Sequence, residues 1–172
     1  MNFVNPINLS IDGEDFMNNV EQVLSTNQIG QIGQSYFEFL MSQWNIPCFK
    51  PIGSYLYDYI IVYDNTPLRV ECKASNIYNN GAITFPINHS VGRKNLKPYS
   101  AEDVDIIFCY SVITKEYCFL SSSHFSTCKS ISIREKDGIA KNNVKYPCFN
   151  DYDFHSVCTE TLHNMSNVER RW

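Results

Sequence analysis

The amino-acid sequence predicts an α+β protein in which a mixed central β-sheet is flanked by helices. Three features support this class. Apolar residues recur at helical spacing between about 27 and 45. Two strand-like stretches meet at a turn within 58–74. A near-continuous apolar run covers 104–113, as expected of a strand that is buried on both faces.

The chain is 172 residues long, which predicts one main folded unit with a substantial core. We predict an acidic N-terminal extension with a short helix over 1–26, a core domain over 27–155, and a C-terminal helix and tail over 156–172. No apolar run reaches the ~20 residues of a membrane span, and no secretion signal is recognisable. We therefore expect a cytoplasmic or otherwise intracellular protein that is neither secreted nor membrane-bound.

The first predicted elements are helices. A short helix over 11–24 carries acidic residues in its first turn. A second helix from about 27 to 45 presents one apolar face. Gly30 and Gly33 lie on or near this face, where the absence of a side chain permits close packing against a sheet. Pro47 ends the helix. The apolar face is formed by Ile29, Ile32, Tyr36, Phe37, Leu40 and Trp44.

Strands dominate the middle of the chain. They are predicted over roughly 48–52, 58–63, 68–74 and 82–87. Turn-forming residues at 64–67 and 79–81 separate the later strands. Residues 88–99 are predicted to form a basic loop, and 100–103 a helical turn with a capping box.

The last third of the sequence predicts short elements. The buried strand within 104–113 is followed by a strand over 117–120. One or two short strands are predicted within 129–147, as SISIR and NVKYP, and a final helix over 151–164. The seven cysteines form no CxxC pair, and several stand within apolar runs, so we expect buried, reduced thiols.

The hairpin over 57–74 carries the most chemically informative side chains. Because side chains alternate along a strand, Arg69, Glu71 and Lys73 share one face. Asp58 begins the preceding strand and reaches the same face across the hairpin. Two carboxylates and a lysine at one sheet edge can bind Mg²⁺ and position an attacking water. This combination indicates a metal-dependent nuclease. The opposite, apolar face is formed by Leu68, Val70, Cys72 and Ala74.

Several motifs occur in a defined order along the chain. They are IGQIGQ at 29–34, PIG at 51–53, Asp58, ECKA at 71–74, DVD at 103–105 before the buried strand, and SISIREKDGIAKNN at 130–143. This order resembles the PD-(D/E)XK nuclease superfamily, and more narrowly its group I intron-associated homing endonucleases, over about 27–155. The resemblance implies a restriction-endonuclease-like core and Mg²⁺-dependent cleavage of double-stranded DNA, with Mn²⁺ able to substitute.

The resemblance also implies residue roles. Asp58, Glu71 and the backbone carbonyl of Cys72 would hold the metal ion, while the Cys72 side chain faces the core. Lys73 would orient the attacking water and stabilise the developing charge.

The sequence departs from the usual pattern of these relatives in two ways. No proline precedes Asp58. Relatives usually carry Glu where Gln34 stands, and often Gln where Glu71 stands, so the two residue types are exchanged. We therefore include Gln34 among the catalytic residues. Glu38, one helical turn further on, is a second candidate for the helix carboxylate.

The distribution of charge is compatible with DNA as a partner. The net charge is −4, but residues 1–28 contain four acids and no Lys or Arg, so the remainder is neutral. The acid-free stretch 89–97 holds Arg93, Lys94 and Lys97, which we predict to contact DNA phosphates. A solvated loop is the alternative. Because one small domain spans little duplex, a long recognition site would require a homodimer or homotetramer.

Other interpretations stay open at this point. Glu71 and Lys73 could form an ordinary surface ion pair, with Asp58 a turn residue. A catalytically inert nuclease-fold module that binds DNA or a protein would account for Gln34. A restriction enzyme or Holliday-junction resolvase would share the catalytic residues and differ only in its DNA substrate.

Overall fold

The computed structural model describes residues 24–91, 95–126, 128–135 and 147–167. Apart from one terminal residue each, the helix predicted over 11–24 and the strand predicted at 143–147 lie outside these ranges. Within them, no helix has the length and apolar character needed to cross a membrane.

The described residues form ten strands and three α-helices. The strands are β1 (Cys48–Phe49), β2 (Tyr59–Tyr63), β3 (Thr66–Ser75), β4 (Tyr78–Asn79), β5 (Ala82–Pro86), β6 (Asn88–Val91), β7 (Asn95–Pro98), β8 (Ile106–Ser111), β9 (Tyr117–Ser121) and β10 (Ser130–Arg134). The helices are α1 (Thr26–Gln43), α2 (Ser122–Phe125) and α3 (Phe154–Asn167), and a 3-10 turn covers Phe149–Asp151.

The central sheet has five strands in the order β1-β2-β3-β8-β9. Strands β3 and β8 are parallel, while the other neighbours are antiparallel, so the predicted mixed sheet is confirmed. Strand β8 is buried along its whole length, as its continuous apolar sequence predicted. Strand β3 lies at the centre and therefore has a hydrogen-bonded neighbour on each side.

The two faces of the central sheet are covered differently. Helices α1 and α3 pack on one face, where Phe37, Phe108 and Phe119 belong to the same buried cluster. The other face is covered by a small antiparallel sheet in the order β10-β5-β4, whose Phe85 and Ile133 pack with Ile107 of β8. The predicted helices thus occupy one face, and strands cover the second.

Helix α1 begins and packs as its sequence indicates. Ser25 and Gln28 form a capping box at its N-terminus. A Cβ atom added to Gly33 would lie 2.7 Å from the Cβ of Ala74, whereas one added to Gly30 would meet nothing within 4 Å. The predicted close packing is therefore confirmed for Gly33 and wrong for Gly30.

Tight turns set the registers of the hairpins. Asp64 and Asn65 have positive φ angles of 47° and 58°, as a type I′ turn requires at both central positions. The turn pairs Tyr63 with Thr66 and, further along, Tyr59 with Val70. Asn80 and Gly81 adopt the same left-handed conformation between β4 and β5. The turn residues noted in the sequence therefore align the strands that carry Asp58 and Glu71.

The basic segment differs from its prediction. Residues 88–91 and 95–98 form a two-stranded hairpin, β6 with β7, where a loop was predicted. The hairpin lies largely in solvent, so its strands lack the apolar alternation that normally reveals a strand. The Ser100–Asp103 contact is present, with the Ser100 hydroxyl donating to Asp103 Oδ2 at 2.7 Å. It closes a single turn and starts no helix.

Substituting Gly33 by Ala is expected to destabilise the protein by about 1–3 kcal/mol, because the new methyl group meets Ala74 on a rigid strand. Gly30→Ala is the matched control, since it adds the same group in open space on the same helix. We expect it to stabilise the protein by up to about 1 kcal/mol. Urea unfolding of both variants measures the difference, and equal stabilities would contradict the packing at Gly33.

Candidate active site

Asp58 is held between the central sheet and helix α1. It immediately precedes β2, and its backbone N–H donates to the carbonyl of Val70 at 2.9 Å. Its Oδ2 accepts from the backbone N–H of Cys72 at 3.0 Å. Its Oδ1 accepts from Nε2 of Gln34 at 3.0 Å. The carboxylate is therefore oriented from two sides and flanks Glu71.

Glu71 and Lys73 form a close ion pair on β3, with Lys73 Nζ 2.7 Å from Glu71 Oε1. The hydroxyl of Tyr99 donates to the same oxygen at 2.8 Å and accepts from Lys73 Nζ at 3.2 Å. The side chains of Glu71 and Lys73 are only 12% and 18% exposed. This burial contradicts the alternative of an ordinary solvated surface pair.

Burial shapes the acid–base behaviour of this group. It raises the pKa of Glu71, an effect opposed by the Lys73 ammonium and reinforced by the negative charge of Asp58. Burial, together with the charge of Glu71, also raises the pKa of Tyr99. The Tyr99 hydroxyl therefore keeps its proton and acts as a donor.

The Cys72 thiol takes no part in this group. Burial raises its pKa well above the ordinary value, and its side chain packs against the cluster beneath α1. The predicted inward orientation of this side chain is confirmed, and the thiol remains neutral.

Gln34 reaches the site from α1 in one defined orientation. Its Oε1 accepts from Nζ of Lys50 at 3.1 Å, while its Nε2 donates to Asp58. A lysine can only donate and a carboxylate can only accept, so these two partners set which way the amide points. Lys50 also lies 5.3 Å from the centre of the Tyr59 ring. Gln34 thus connects a cation to Asp58.

Glu38 lies one helical turn beyond Gln34 and has a different partner. Its Oε1 accepts from the hydroxyl of Tyr59 at 2.6 Å. Burial raises the pKa of Tyr59, and the hydrogen bond to Glu38 adds to this effect. The structure therefore places Glu38 near the site but bonds it to a tyrosine, while Gln34 holds the contact to Asp58.

Asp105 fastens the two parallel strands together. Its Oδ2 accepts from the backbone N–H and Nε of Arg69 at 2.8 and 3.0 Å, and its Oδ1 from Nη2 at 2.9 Å. The same guanidinium donates to the carbonyls of Ala101 and Glu102. Asp105 thus bonds both the backbone and the side chain of Arg69. Arg69, predicted on the polar face with Glu71 and Lys73, is committed to this contact.

Of the three predicted DNA-contacting residues, Lys97 is the one that the structure describes. Lys97 stands on β7, is solvent-exposed, and pairs across the hairpin with His89. Arg93 and Lys94 lie outside the described residues. Tyr99 follows β7 directly, and its ring centre is 5.0 Å from that of His89. Tyr99 therefore connects the end of β7 to the Glu71–Lys73 pair.

Sequence reasoning missed two members of the site. Tyr99 and Lys50 join it through single long side chains from segments remote in sequence from β3, and neither belongs to a motif. The basic residues of 88–99 indicate a phosphate-binding loop and give no sign of a role for Tyr99. Nothing in one sequence distinguishes Tyr99 from the other ten tyrosines.

Among the residues described, no three His, Cys, Asp or Glu side chains come together as a metal-binding group. The site instead offers two carboxylates, Asp58 and Glu71, beside the backbone of Cys72.

The fold is similar to that of a known nuclease. The structure of a bacterial homing endonuclease, I-Ssp6803I, matches with a TM-score of 0.65 over 86% of this chain and 100% of that chain, at 20% sequence identity. No family model matches the sequence, and the comparison with curated proteins found no match. At this identity, the likeness shows a shared α+β fold.

Proposed function

We propose that this protein is a metal-dependent endonuclease that hydrolyses phosphodiester bonds in double-stranded DNA. The observation that carries this proposal is the buried Glu71–Lys73 pair, flanked by the doubly hydrogen-bonded carboxylate of Asp58. The fold, shared with a homing endonuclease, supports it independently of these residues.

The donor set fits Mg²⁺, with Mn²⁺ as a substitute. Mg²⁺ prefers oxygen ligands and is usually bound through one or two carboxylates while it keeps several waters. Asp58 and Glu71 supply the carboxylates, and the backbone carbonyl of Cys72 would be a third ligand. Both hydrogen bonds to Glu71 fall on Oε1, and no described residue bonds its Oε2. When bound, the ion would polarise water and neutralise phosphate charge.

The protein's own groups have separate tasks. Lys73 donates to both Glu71 and Tyr99, so it acts as a charged donor that orients the attacking water and stabilises charge developing on the phosphoryl oxygens. Gln34 holds Asp58 in place from the helix side. Lys50 adds a second positive charge at this end of the site.

The finer assignment is a PD-(D/E)XK homing endonuclease that works as a homodimer or homotetramer. The order of the sequence motifs supports the nuclease class, and the fold likeness supports the homing type. A restriction enzyme or a Holliday-junction resolvase would use the same residues on other DNA substrates. An inert DNA- or protein-binding module is favoured by one observation: an amide occupies position 34, where relatives usually carry a carboxylate.

Lys73→Ala is expected to lower the rate of plasmid nicking by about 10²–10⁴-fold, because the ammonium acts mainly in the transition state. DNA affinity should change little. Lys115→Ala, which removes an exposed lysine on the turn after β8, is the control and should cleave normally. Rates with Mg²⁺, with Mn²⁺ and with chelator measure the effect. Wild-type rates in Lys73→Ala would refute the catalytic role, and no nicking by the wild type would favour the inert module.

The exchange of residue types at 34 and 71 predicts a rescue. Glu71→Gln should lose metal binding and cleavage, and adding Gln34→Glu should recover part of both by restoring the usual arrangement. Gln34→Glu alone would place a second carboxylate where the amide now lies 3.0 Å from Asp58, which raises a carboxylate pKa or recruits another ion.

Glu38→Gln is the matched comparison, and we expect a small effect because Glu38 bonds Tyr59. Metal titrations and cleavage rates decide between the positions. Severe impairment by Glu38→Gln, with no rescue by Gln34→Glu, would assign the helix carboxylate to Glu38.

Replacing Arg93, Lys94 and Lys97 together by Gln should weaken binding to every duplex and flatten its salt dependence. Each lost phosphate contact reduces the slope of log K against log salt by about 0.9. Lys115→Gln is the control, because it makes the same type of substitution and removes one positive charge outside this segment. Binding measured from 50 to 200 mM salt gives the slopes, and an unchanged slope would return this segment to solvated surface.

A further inference from the structure

We propose that Tyr99 is a positioning residue whose hydroxyl holds Glu71 and Lys73 in their working arrangement. This inference rests on the function proposed above, because it concerns the same ion pair.

The three polar groups form a closed ring of contacts. Lys73 Nζ donates to Glu71 Oε1 at 2.7 Å, the Tyr99 hydroxyl donates to the same oxygen at 2.8 Å, and it accepts from Lys73 Nζ at 3.2 Å. The hydroxyl therefore donates a hydrogen bond to the Glu71 carboxylate and accepts a hydrogen bond from the Lys73 ammonium. Lys73 Nζ also lies 4.8 Å from the centre of the Tyr99 ring, within the range of a cation–π contact.

Tyr99 is itself fixed by parts of the fold other than the hairpin β2–β3. The residue is 3% exposed and belongs to the buried cluster that contains Val104 and Ile107. Its backbone stands between the end of β7 and the turn that the Asp103 carboxylate closes on Ser100. A rigid aromatic side chain thus meets two long side chains that have many rotamers of their own.

The arrangement determines which oxygen of Glu71 is free. Both donors occupy Oε1, which leaves Oε2 as the oxygen without a described partner. Hydrogen bonds to a metal-binding carboxylate commonly set its orientation, and their loss typically costs about 10–100-fold in metal affinity or activity. Without the hydroxyl, the three donors of Lys73 could take either oxygen, and the pair would rotate.

Tyr99→Phe tests this role with the ring, the burial and the cation–π contact retained. We expect a fall in kcat of about 10–100-fold with an unchanged KM for DNA, because the hydroxyl faces the reacting groups and leaves the duplex contacts alone. The affinity for Mn²⁺, measured by calorimetry on the protein without DNA, should fall by about tenfold. Thermal unfolding confirms that the variant is folded.

A direct probe of the ion pair does not depend on catalysis. The ¹⁵N-labelled ammonium group of Lys73, assigned with Lys73→Met, should give a proton-coupled signal at low temperature in the wild type. In Tyr99→Phe the signal should broaden as hydrogen exchange accelerates. Tyr78→Phe is the control, since it removes a tyrosine hydroxyl that bonds Glu135 at 3.1 Å, outside the site.

Tyr99→Phe with wild-type kcat, Mn²⁺ affinity and ammonium signal would overturn the proposal. The failure of the proposed function is distinguishable: the wild type would then cleave no DNA with either metal, while the ammonium signal would still report whether Tyr99 holds the pair.

Discussion

The contact on which the rest of the site depends is the ion pair between Arg69 and Asp105 at the start of the only parallel strand pair described. A parallel pairing has no tight turn to set its register, so another constraint must do so. Here the buried Asp105 carboxylate takes the backbone N–H and the guanidinium of Arg69 together. A slip of one residue would lose these bonds and move Glu71 and Lys73 from the polar face to the face beneath α1.

With this register in place, the two faces of β3 lie in different environments. Val70 and Cys72 pack beneath helix α1, which Gly33 allows to approach the strand closely. Glu71 and Lys73 project from the other face, at the edge of the second core cluster. Burying charges there carries a large desolvation cost, which only mutual pairing and further hydrogen bonds can offset. The Tyr99 hydroxyl supplies such bonds to both charges, which offsets part of the cost of burying the pair.

The helix side of the site shows how the chain accommodates an amide at position 34. Gln34 cannot offer a second carboxylate, but it satisfies Asp58 with its N–H group and Lys50 with its oxygen. The site therefore carries one negative charge fewer than it would with a glutamate at position 34. This arrangement is compatible with an active nuclease in which Glu71 supplies the second carboxylate. The amide at position 34 is also the feature that an inert nuclease-fold module would explain.

The sequence by itself determined the class of fold, the long helix, the central hairpin with its turn, and the buried strand β8, since each depends on local periodicity or turn chemistry. It also predicted that Asp58, Glu71 and Lys73 converge, because strand alternation and a tight turn leave little freedom. Only the tertiary structure revealed Tyr99, the orientation of Gln34 by Lys50, the pairing of β6 with β7, and the small sheet on the second face. Tyr99, the Gln34–Lys50 contact and the small sheet depend on contacts between segments that are separated in sequence, so no local pattern predicts them. Strands β6 and β7 are close in sequence, but they are largely exposed to solvent and therefore lack the apolar alternation that predicts a strand.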